Sequence, residues 1–225
     1  MNIADLTPAA RSQQKLRFWF GGGILAVVLT ASSIPFDAFF ATEDFIGAFP
    51  GDLQKAIHLS EAFAHGAGAT AILLTVLIVS VEKRSQVWTA ILITLLSGLT
   101  ANMAKSAFVR IRPHSVGKIQ VGEGETLFDQ AEANEVVEAS FWDSRQRSFP
   151  SGHAATACGL AIGLSLIFPR GVVAFGILAT LACIQRVISG AHFVSDVLAG
   201  VAVAFFCAGI VLWIGRRSSV DSRAL

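Results

Sequence analysis

The sequence predicts an all-α membrane protein, in which six helices span the bilayer as one bundle and a polar extracytoplasmic loop joins the third and fourth spans. Two observations support this fold class. Of the 225 residues, 53% are hydrophobic and only 15% are charged, and the mean hydropathy is +0.62. That composition leaves too little polar material to cover a soluble globule. Apolar stretches also recur with a length of about 20 residues, which is what a helix needs to cross a bilayer core.

Charge and cysteine usage exclude several other classes of protein. Lys and Arg total 17 and Asp and Glu total 16, so the formal net charge is +1. No basic tract is long enough to neutralise a row of phosphates, and we expect no nucleic acid partner. Cys158, Cys183 and Cys207 lie inside apolar runs, where a thiol usually packs as a small hydrophobic group.

Six apolar stretches are predicted to span the membrane. They cover residues 18–36, 59–81, 87–108, 151–168, 171–189 and 193–214. Only residues 82–86 separate the second and third spans, and only Pro169 and Arg170 separate the fourth and fifth. Because short connections make neighbouring helices antiparallel, we expect residues 1–225 to form a single membrane domain.

The first span has an alternative interpretation as a secretory signal peptide. Arg11, Lys15 and Arg17 precede the apolar run, and small residues follow it at 31–33, which is the order found in signal sequences. The basic region is long, however, and no clear A-x-A cleavage site follows. An uncleaved first span is the simpler prediction.

The orientation is predicted from charge and from tryptophan positions. The count of basic residues barely discriminates between the two orientations, but with a cytoplasmic N-terminus the outer loops carry most of the acids. Trp19, Trp88 and Trp213 then lie at the inner ends of spans, as one half of an aromatic belt. We therefore expect an integral protein of a bacterial inner membrane, with its polar site on the extracytoplasmic side.

Two segments fall outside the predicted spans, both on the outer side. Residues 37–58 are predicted to be a short loop followed by an amphipathic piece in the membrane interface, with Leu53, Ile57 and His58 near one face. Residues 113–150 form the longest polar stretch. They are predicted to be a solvated surface hairpin, and a cap that recognises the substrate is the alternative.

Ionisable residues at the ends of apolar helices form three clusters, which are candidate functional sites because unpaired charge is costly there. The first cluster runs from Lys105 to Pro113, where the third span ends. Lys105 and Arg112 are seven residues apart, so an α-helix would place both near one line and within reach of one anion. Snorkelling of the two side chains to lipid headgroups is the alternative.

The second cluster is Pro150, Ser151, Gly152 and His153, at the start of the fourth span. Pro and Ser favour a helix start, and Gly lets a ligand approach the backbone. The N–H groups at a helix N-terminus bind anions, and His153 is placed to exchange a proton with the bound group. The alternative is an ordinary helix cap with a histidine nearby.

The third cluster contains Arg186, His192 and Asp196. Arg186 ends the fifth span, where a cation suits the helix dipole. His192 and Asp196 are four residues apart at the start of the sixth span, so the carboxylate can hold the imidazole in one tautomer. Such a pair makes a neutral histidine a directed nucleophile or base, and a purely structural contact is the alternative.

All three clusters fall at one face of the predicted bundle. Three cations, two histidines, one carboxylate and one helix N-terminus would therefore converge, and a chance meeting of three ordinary helix caps is improbable. Such a collection suits phosphoryl transfer, because catalysis there consists mostly of charge stabilisation around the transferring oxygens.

These residues resemble the signature of the type 2 phosphatidic acid phosphatase family, whose three parts are K-x6-R-P, P-S-G-H and S-R-x5-H-x3-D. Here the three parts are residues 105–113, 150–153 and 186–196, in the right order and with matching spacing. One position departs from the signature. Gln185 replaces the Ser that precedes the third-motif Arg, so a role for that hydroxyl does not carry over to this chain.

The resemblance implies a phosphohistidine mechanism. His192 would attack the phosphorus while Asp196 orients its other ring nitrogen, and His153 would protonate the leaving oxygen and then activate water. The resemblance also implies five groups that bind the phosphate oxygens. These are Lys105, Arg112, Ser151, Gly152 and Arg186.

The resemblance implies neither a metal nor another cofactor. His58, Glu61 and His65 have loosely ligand-like spacing, but we do not expect a metal site there. The family also includes soluble acid phosphatases and vanadate-dependent haloperoxidases, and the hydrophobic chain argues against both.

The expected partner is a lipid phosphate whose tails stay in the bilayer. Phosphatidate, phosphatidylglycerophosphate, a polyprenyl diphosphate and the lipid A 1-phosphate all fit. A lipid phosphotransferase with the same pocket is an alternative. An anion transporter is the alternative from another class, but it predicts inverted repeats that the sequence does not show.

Overall fold

A computed structural model describes residues 8–42, 49–116 and 147–221. The α-helices in these ranges are α1 (Pro8–Ser33), α2 (Asp37–Phe40), α3 (Gly51–Leu59), α4 (Glu61–Ala64), α5 (Gly66–Val79), α6 (Arg84–Ala104), α7 (Pro113–Val116), α8 (Gly152–Ile167), α9 (Val172–Ile188) and α10 (Val194–Asp221). Within the same ranges the only β pairing is an isolated bridge between Arg110 and Arg147. The described part of the chain therefore confirms the all-α class.

Four helical segments are long and apolar enough to cross a membrane: Leu16–Phe40, Val81–Ala107, Pro169–Ile188 and Val194–Arg217. They correspond to the first, third, fifth and sixth predicted spans. The second predicted span is a pair of segments, Gly51–Ala64 and Gly66–Val79, bent by 67° at their break, and it adds a fifth span if the pair is counted as one. The fourth corresponds to α8, which has 16 residues. The described residues thus contain four or five candidate spans, and the full count of six stays a prediction.

Helix α8 is the central element of the bundle. It packs against α6, α9 and α10, and most of its residues are buried. Small residues allow the close approach of α6, because a Cβ atom built on Gly163 would lie 2.7 Å from the Cβ of Ala90. A helix that is apolar all round suits burial among neighbouring helices, so α8 holds its N-terminus at a fixed place in the bundle.

Apolar side chains also cover the outside of the bundle. Helix α1 packs along α10, and its other face exposes Ile24, Leu25 and Val28. Exposed apolar residues likewise occur on α5, α6 and α9. An apolar surface of this extent needs a hydrophobic solvent, which agrees with a membrane protein.

The end of the third predicted span differs from expectation. Helix α6 ends at Ala104, a single 3-10 turn follows at Lys105–Ala107, and Phe108 is extended. The prediction that helical periodicity aligns Lys105 with Arg112 is therefore wrong. The backbone of this stretch is paired elsewhere, because the Arg110 carbonyl accepts the N–H of Ser148 at 2.9 Å.

The segment after the first span also differs from expectation. Asp37, which the sequence placed in an acidic outer loop, begins α2 and is 1% exposed. Helix α3 occupies the predicted amphipathic piece and buries Ile57, while Leu53 is exposed. Most of the predicted loop at residues 113–150 lies outside the described residues, so the surface hairpin stays a prediction.

Candidate active site

Helices α8 and α10 begin side by side at one end of the bundle. Ser151 is the N-cap of α8, and its hydroxyl accepts the N–H of Ala154 at 3.3 Å. The N–H of Ser151 itself donates to the carbonyl of Asp196 at 2.9 Å. The first N–H groups of an α-helix have no partner within the helix, so the start of α8, with Gly152 at its first position, can bind an anion.

His192 and Asp196 form a buried pair at the start of α10. The Nδ1 atom of His192 is 3.5 Å from Oδ2 of Asp196, and both side chains are almost fully buried. Oδ2 also accepts hydrogen bonds from the N–H of Phe193, at 2.8 Å, and from the hydroxyl of Ser148. Because Nδ1 faces the carboxylate, Nε2 is the ring nitrogen that remains for chemistry.

The protonation state of His192 suits a nucleophile. Burial lowers the pKa of His192 to about 4, and the nearby charges of Lys105 and Arg112 act in the same direction. The hydrogen bond and the negative charge of Asp196 act in the opposite direction without reversing the shift. The imidazole is therefore neutral near pH 7, with a lone pair on one nitrogen.

The three predicted cations lie around the two imidazoles. Arg112 is within electrostatic reach of Arg186 and of Lys105. His153, in the first turn of α8, is within reach of Lys105 and Arg186. Like charges that lie this close repel one another, so an anion among them is favoured.

Asp196 also belongs to a buried network of charged residues, which was not predicted from the sequence. Arg110 is 1% exposed, and its guanidinium bonds the carboxylates of both Asp196 and Asp37, the latter at 2.6 Å. Ser195 joins the network, because its N–H donates to Asp37 at 3.0 Å and its hydroxyl contacts both Asp37 and Arg110. A basic residue inside the first motif was the only signal for Arg110, and no signal marked Asp37.

A second polar group surrounds Arg186. Its Nη2 atom is 2.7 Å from Oε1 of Glu61 in α4, and its Nε donates to the side-chain oxygen of Gln185. The side-chain nitrogen of Gln185 lies 3.3 Å from Oε2 of Glu61 and 3.3 Å from Nδ1 of His58. Gln185, the one departure from the family signature, thus links the arginine to an acid on another helix.

Two other histidines also contact this region. Nδ1 of His65 accepts the N–H of Ala67 at 3.3 Å and caps α5, and the His65 ring centroid is 6.0 Å from that of His153. His114 bonds Gly190 twice, through its backbone N–H at 3.0 Å and through Nδ1 at 2.9 Å. Gly190 has a φ of 63°, the left-handed geometry that glycine provides at the end of a helix.

The structure therefore brings all eight predicted site residues to one end of the bundle. The helical alignment of the first motif is the part of that prediction that failed, and yet both of its cations lie near Asp196. The catalytic and phosphate-binding roles of the eight residues stay predictions. Asp37, Arg110, Glu61 and Gln185 join the site without having been predicted to do so.

The protein is an apolar helical bundle, and its cations and imidazoles meet where its helices begin and end. These features are typical of membrane proteins with a polar site suited to an anion. The chain belongs to the PAP2 superfamily, because the model of that family matches residues 86–219, more than half of the sequence. The matched range contains the eight predicted residues and excludes Asp37 and Glu61.

Two curated proteins are similar to part of the chain. A lipid A 1-phosphatase of Rhizobium johnstonii is 36% identical over 111 residues, which are 47% of this chain and 38% of that protein. A lipid A 1-phosphatase of Rhizobium etli is 38% identical over 109 residues, which are 47% of this chain and 40% of that protein. The similarity thus covers less than half of the length of either relative. Comparison with solved structures gave no significant match.

Proposed function

We propose that the protein is an integral-membrane lipid phosphate phosphatase. It hydrolyses a phosphomonoester or diphosphate of a lipid at the extracytoplasmic face, through a phosphohistidine intermediate and without a metal. The observation that carries the proposal is the neutral, buried His192, held by Asp196 beside three cations and a helix N-terminus. Membership of the PAP2 superfamily and similarity to lipid A 1-phosphatases support a lipid phosphate as the substrate.

The first half of the proposed reaction transfers the phosphoryl group to the protein. Nε2 of His192 attacks the phosphorus, the bond from phosphorus to the leaving oxygen breaks, and His153 gives that oxygen a proton. The lipid alcohol leaves. The ring of His192 gains positive charge in this step, and Asp196 at Nδ1 stabilises it.

The second half releases inorganic phosphate. His153, now neutral, takes a proton from a water molecule whose oxygen attacks the phosphorus, and the bond from phosphorus to nitrogen breaks. In both halves negative charge builds on the equatorial oxygens. We assign its stabilisation to the N-terminus of α8 and to the three cations Lys105, Arg112 and Arg186.

The experiment that tests the proposal is phosphate release by detergent-purified protein from a panel of lipid phosphates, with and without a chelator. The panel holds phosphatidate, phosphatidylglycerophosphate, the lipid A 1-phosphate and a polyprenyl diphosphate. We expect inorganic phosphate from at least one substrate and no effect of the chelator. If the protein turns over no substrate, the proposed phosphatase activity is contradicted. If the chelator abolishes phosphate release, the metal-free mechanism is contradicted.

His192→Ala tests the intermediate in the same assay. The variant should lose turnover by at least about 1,000-fold, because no other group replaces the nucleophile. It should also form no acid-labile, radiolabelled phosphoprotein from a labelled substrate, whereas the wild-type protein does. Vanadate should inhibit the wild type, since it adopts the five-coordinate geometry of the transition state. Wild-type rates in the variant would remove His192 from its role.

A further inference from the structure

We propose that Glu61 makes the site selective for phosphomonoesters over diphosphates. The inference rests on the function proposed above and narrows its substrate class. Glu61 lies in α4, outside the range that matches the family, and its carboxylate pairs with Arg186 at 2.7 Å. The side chain of Arg186 is 8% exposed and that of Glu61 is 42% exposed. The acid therefore covers the accessible side of a cation assigned to the phosphate.

The carboxylate of Glu61 is held in place from two directions. Oε1 accepts from Arg186, and Oε2 accepts from the side-chain nitrogen of Gln185 at 3.3 Å. Gln185 is itself 2% exposed and also bonds Nε of Arg186. The Glu61 side chain is 42% exposed and contacts two residues, whereas the side chain of Asp52, a surface carboxylate, is 97% exposed and pairs with the exposed Lys55.

Glu61 changes the charge that a substrate meets. Lys105, Arg112 and Arg186 are the three cations assigned to the phosphate, and the carboxylate offsets one of them. A phosphomonoester carries roughly two negative charges near neutral pH, and the remaining cations suit that charge. A diphosphate carries a further ionised phosphate. The site offers that phosphate the acid Glu61 and no additional base among the three cations assigned above.

We also place the extra phosphate on the side of Glu61. His153, which we assign to protonation of the leaving oxygen, is within electrostatic reach of Glu61. When the substrate is a diphosphate, the leaving group is the lipid monophosphate, and the carboxylate repels its negative charge. When the leaving group keeps a free hydroxyl, as the phosphatidylglycerol released from phosphatidylglycerophosphate does, that hydroxyl can donate to the carboxylate. Repulsion of one ligand combined with attraction of another is a common basis of specificity.

The test compares matched substrates that differ by one phosphate: phosphatidate with diacylglycerol diphosphate, and the lipid A 1-phosphate with its 1-diphosphate. We expect the wild type to have the higher kcat/KM on the monoester of the pair that it turns over. Glu61→Gln should raise the ratio of diphosphate to monoester kcat/KM about tenfold, because it removes one unit charge near the second phosphate. Glu61→Asp, which keeps the charge, and Asp52→Asn, which removes an exposed acid, should keep the wild-type ratio.

An unchanged or lower ratio in Glu61→Gln overturns the inference, and so does a wild-type preference for the diphosphate. Wild-type protein that releases phosphate from no substrate contradicts the proposed function instead. If Glu61→Gln does not fold, a salt titration of the wild type takes its place. Salt screens an exposed carboxylate, so the preference for the monoester should narrow as salt rises, and a constant preference overturns the inference.

Discussion

At the scale of single residues, the network of Asp37, Arg110 and Asp196 determines the charge beside His192. Arg110 alone would cancel the charge of Asp196 and leave little to stabilise a cationic His192. Asp37 gives the network of two acids and one base a net charge of −1, because it pairs with the same guanidinium through the other nitrogen, Nη2. A buried charge is tolerated when it is paired and hydrogen-bonded, and each member of this network is bonded in that way.

Asp37→Asn tests this network. The variant leaves Arg110 with one carboxylate, and removing one partner of a buried ion pair typically costs on the order of 3 kcal/mol. We expect a lower unfolding temperature and a lower kcat with a nearly unchanged KM, because Asp37 acts through Arg110 and Asp196 and touches no substrate. Asp52→Asn serves as the control on an exposed acid. An unchanged kcat in a well-folded Asp37→Asn protein would remove Asp37 from this role.

The protonation of His192 predicts how stability depends on pH. Burial lowers its pKa from 6.5 in the unfolded chain to about 4 in the folded one, so below pH 6.5 the unfolded state binds the extra proton. The stability is complete above pH 6.5 and falls by about 3 kcal/mol as the pH drops to about 4. Thermal unfolding of the purified protein across this window measures the effect. His192→Asn should show a shallower decline, and equal slopes would contradict the assignment.

The residues that the sequence could reveal are those with fixed spacing. Lys105, Ser151 and His192 each belong to a short motif, and the residues within each motif are close together in the sequence. Asp37 and Glu61 come from helices far away in sequence, and only tertiary packing brings them to the site. No local pattern distinguishes a buried acid of this kind from an acid in a solvated loop.

At the scale of elements, the position of the α8 N-terminus depends on α10. A Cβ atom built on Gly200 would lie 2.4 Å from the carbonyl oxygen of Ser151, a backbone atom, and 3.0 Å from the Cβ of Ala154. The two helices therefore cannot keep their present distance with a larger residue there. The N-terminal end of α8 is fixed by this contact and by the hydrogen bond from the N–H of Ser151 to the carbonyl of Asp196.

Gly200→Ala should displace the start of α8 and lower kcat/KM by about 100-fold, the typical effect of a misplacement near 1 Å in a catalytic group. Gly176→Ala is the matched control, because a Cβ atom at Gly176 in α9 has no neighbour within 4 Å. It should keep wild-type activity. Both are assayed on the best substrate of the panel, and equal activity of the two variants would show that the contact does not position the site.

Helix boundaries were predictable where a local signal marks them. Helix α9 begins and ends close to the predicted limits, and α10 begins close to its predicted start but continues to Asp221, seven residues beyond the predicted end. Gly190 follows the end of α9, and Asp196 bonds the N–H of Phe193 at the start of α10. The second predicted span was harder to place, because the prediction ran a single helix through His65, where the structure has a bend of 67°. A histidine side chain that caps the following helix has no distinctive sequence signature.

At the scale of the whole molecule, the polar site lies at one end of an apolar bundle, and its orientation in the membrane is open to a direct measurement. Glu125→Cys, in the predicted outer loop, and Ser85→Cys, between the second and third spans, are each placed in a background without the native cysteines. We expect an impermeant thiol reagent to label Glu125→Cys but not Ser85→Cys in intact cells. The reverse pattern would invert the predicted topology and move the site to the cytoplasmic side.

Part of the scarce charge of the chain lies at that site. Charged residues make up 15% of the sequence. Within the ranges that the structure describes, five of them form two buried or half-buried networks of ion pairs: Asp37, Arg110, Asp196, Glu61 and Arg186. Composition alone predicted a membrane protein. It could not show that these acids and bases are paired across helices.

Both acids that come from outside the family-matched range, Asp37 and Glu61, belong to the part of the chain that precedes α6. The family-matched range therefore does not contain the acids that pair with Arg110 and Arg186 from these two positions. A hybrid that takes residues before about 85 from a relative would replace Asp37 and Glu61. Arg110 and Arg186 would then face the residues that the relative has at these positions. We expect a functional hybrid to need Asp37 and Glu61 together with the cations that they pair with. These two positions are therefore the first to inspect when parts of the chain are exchanged.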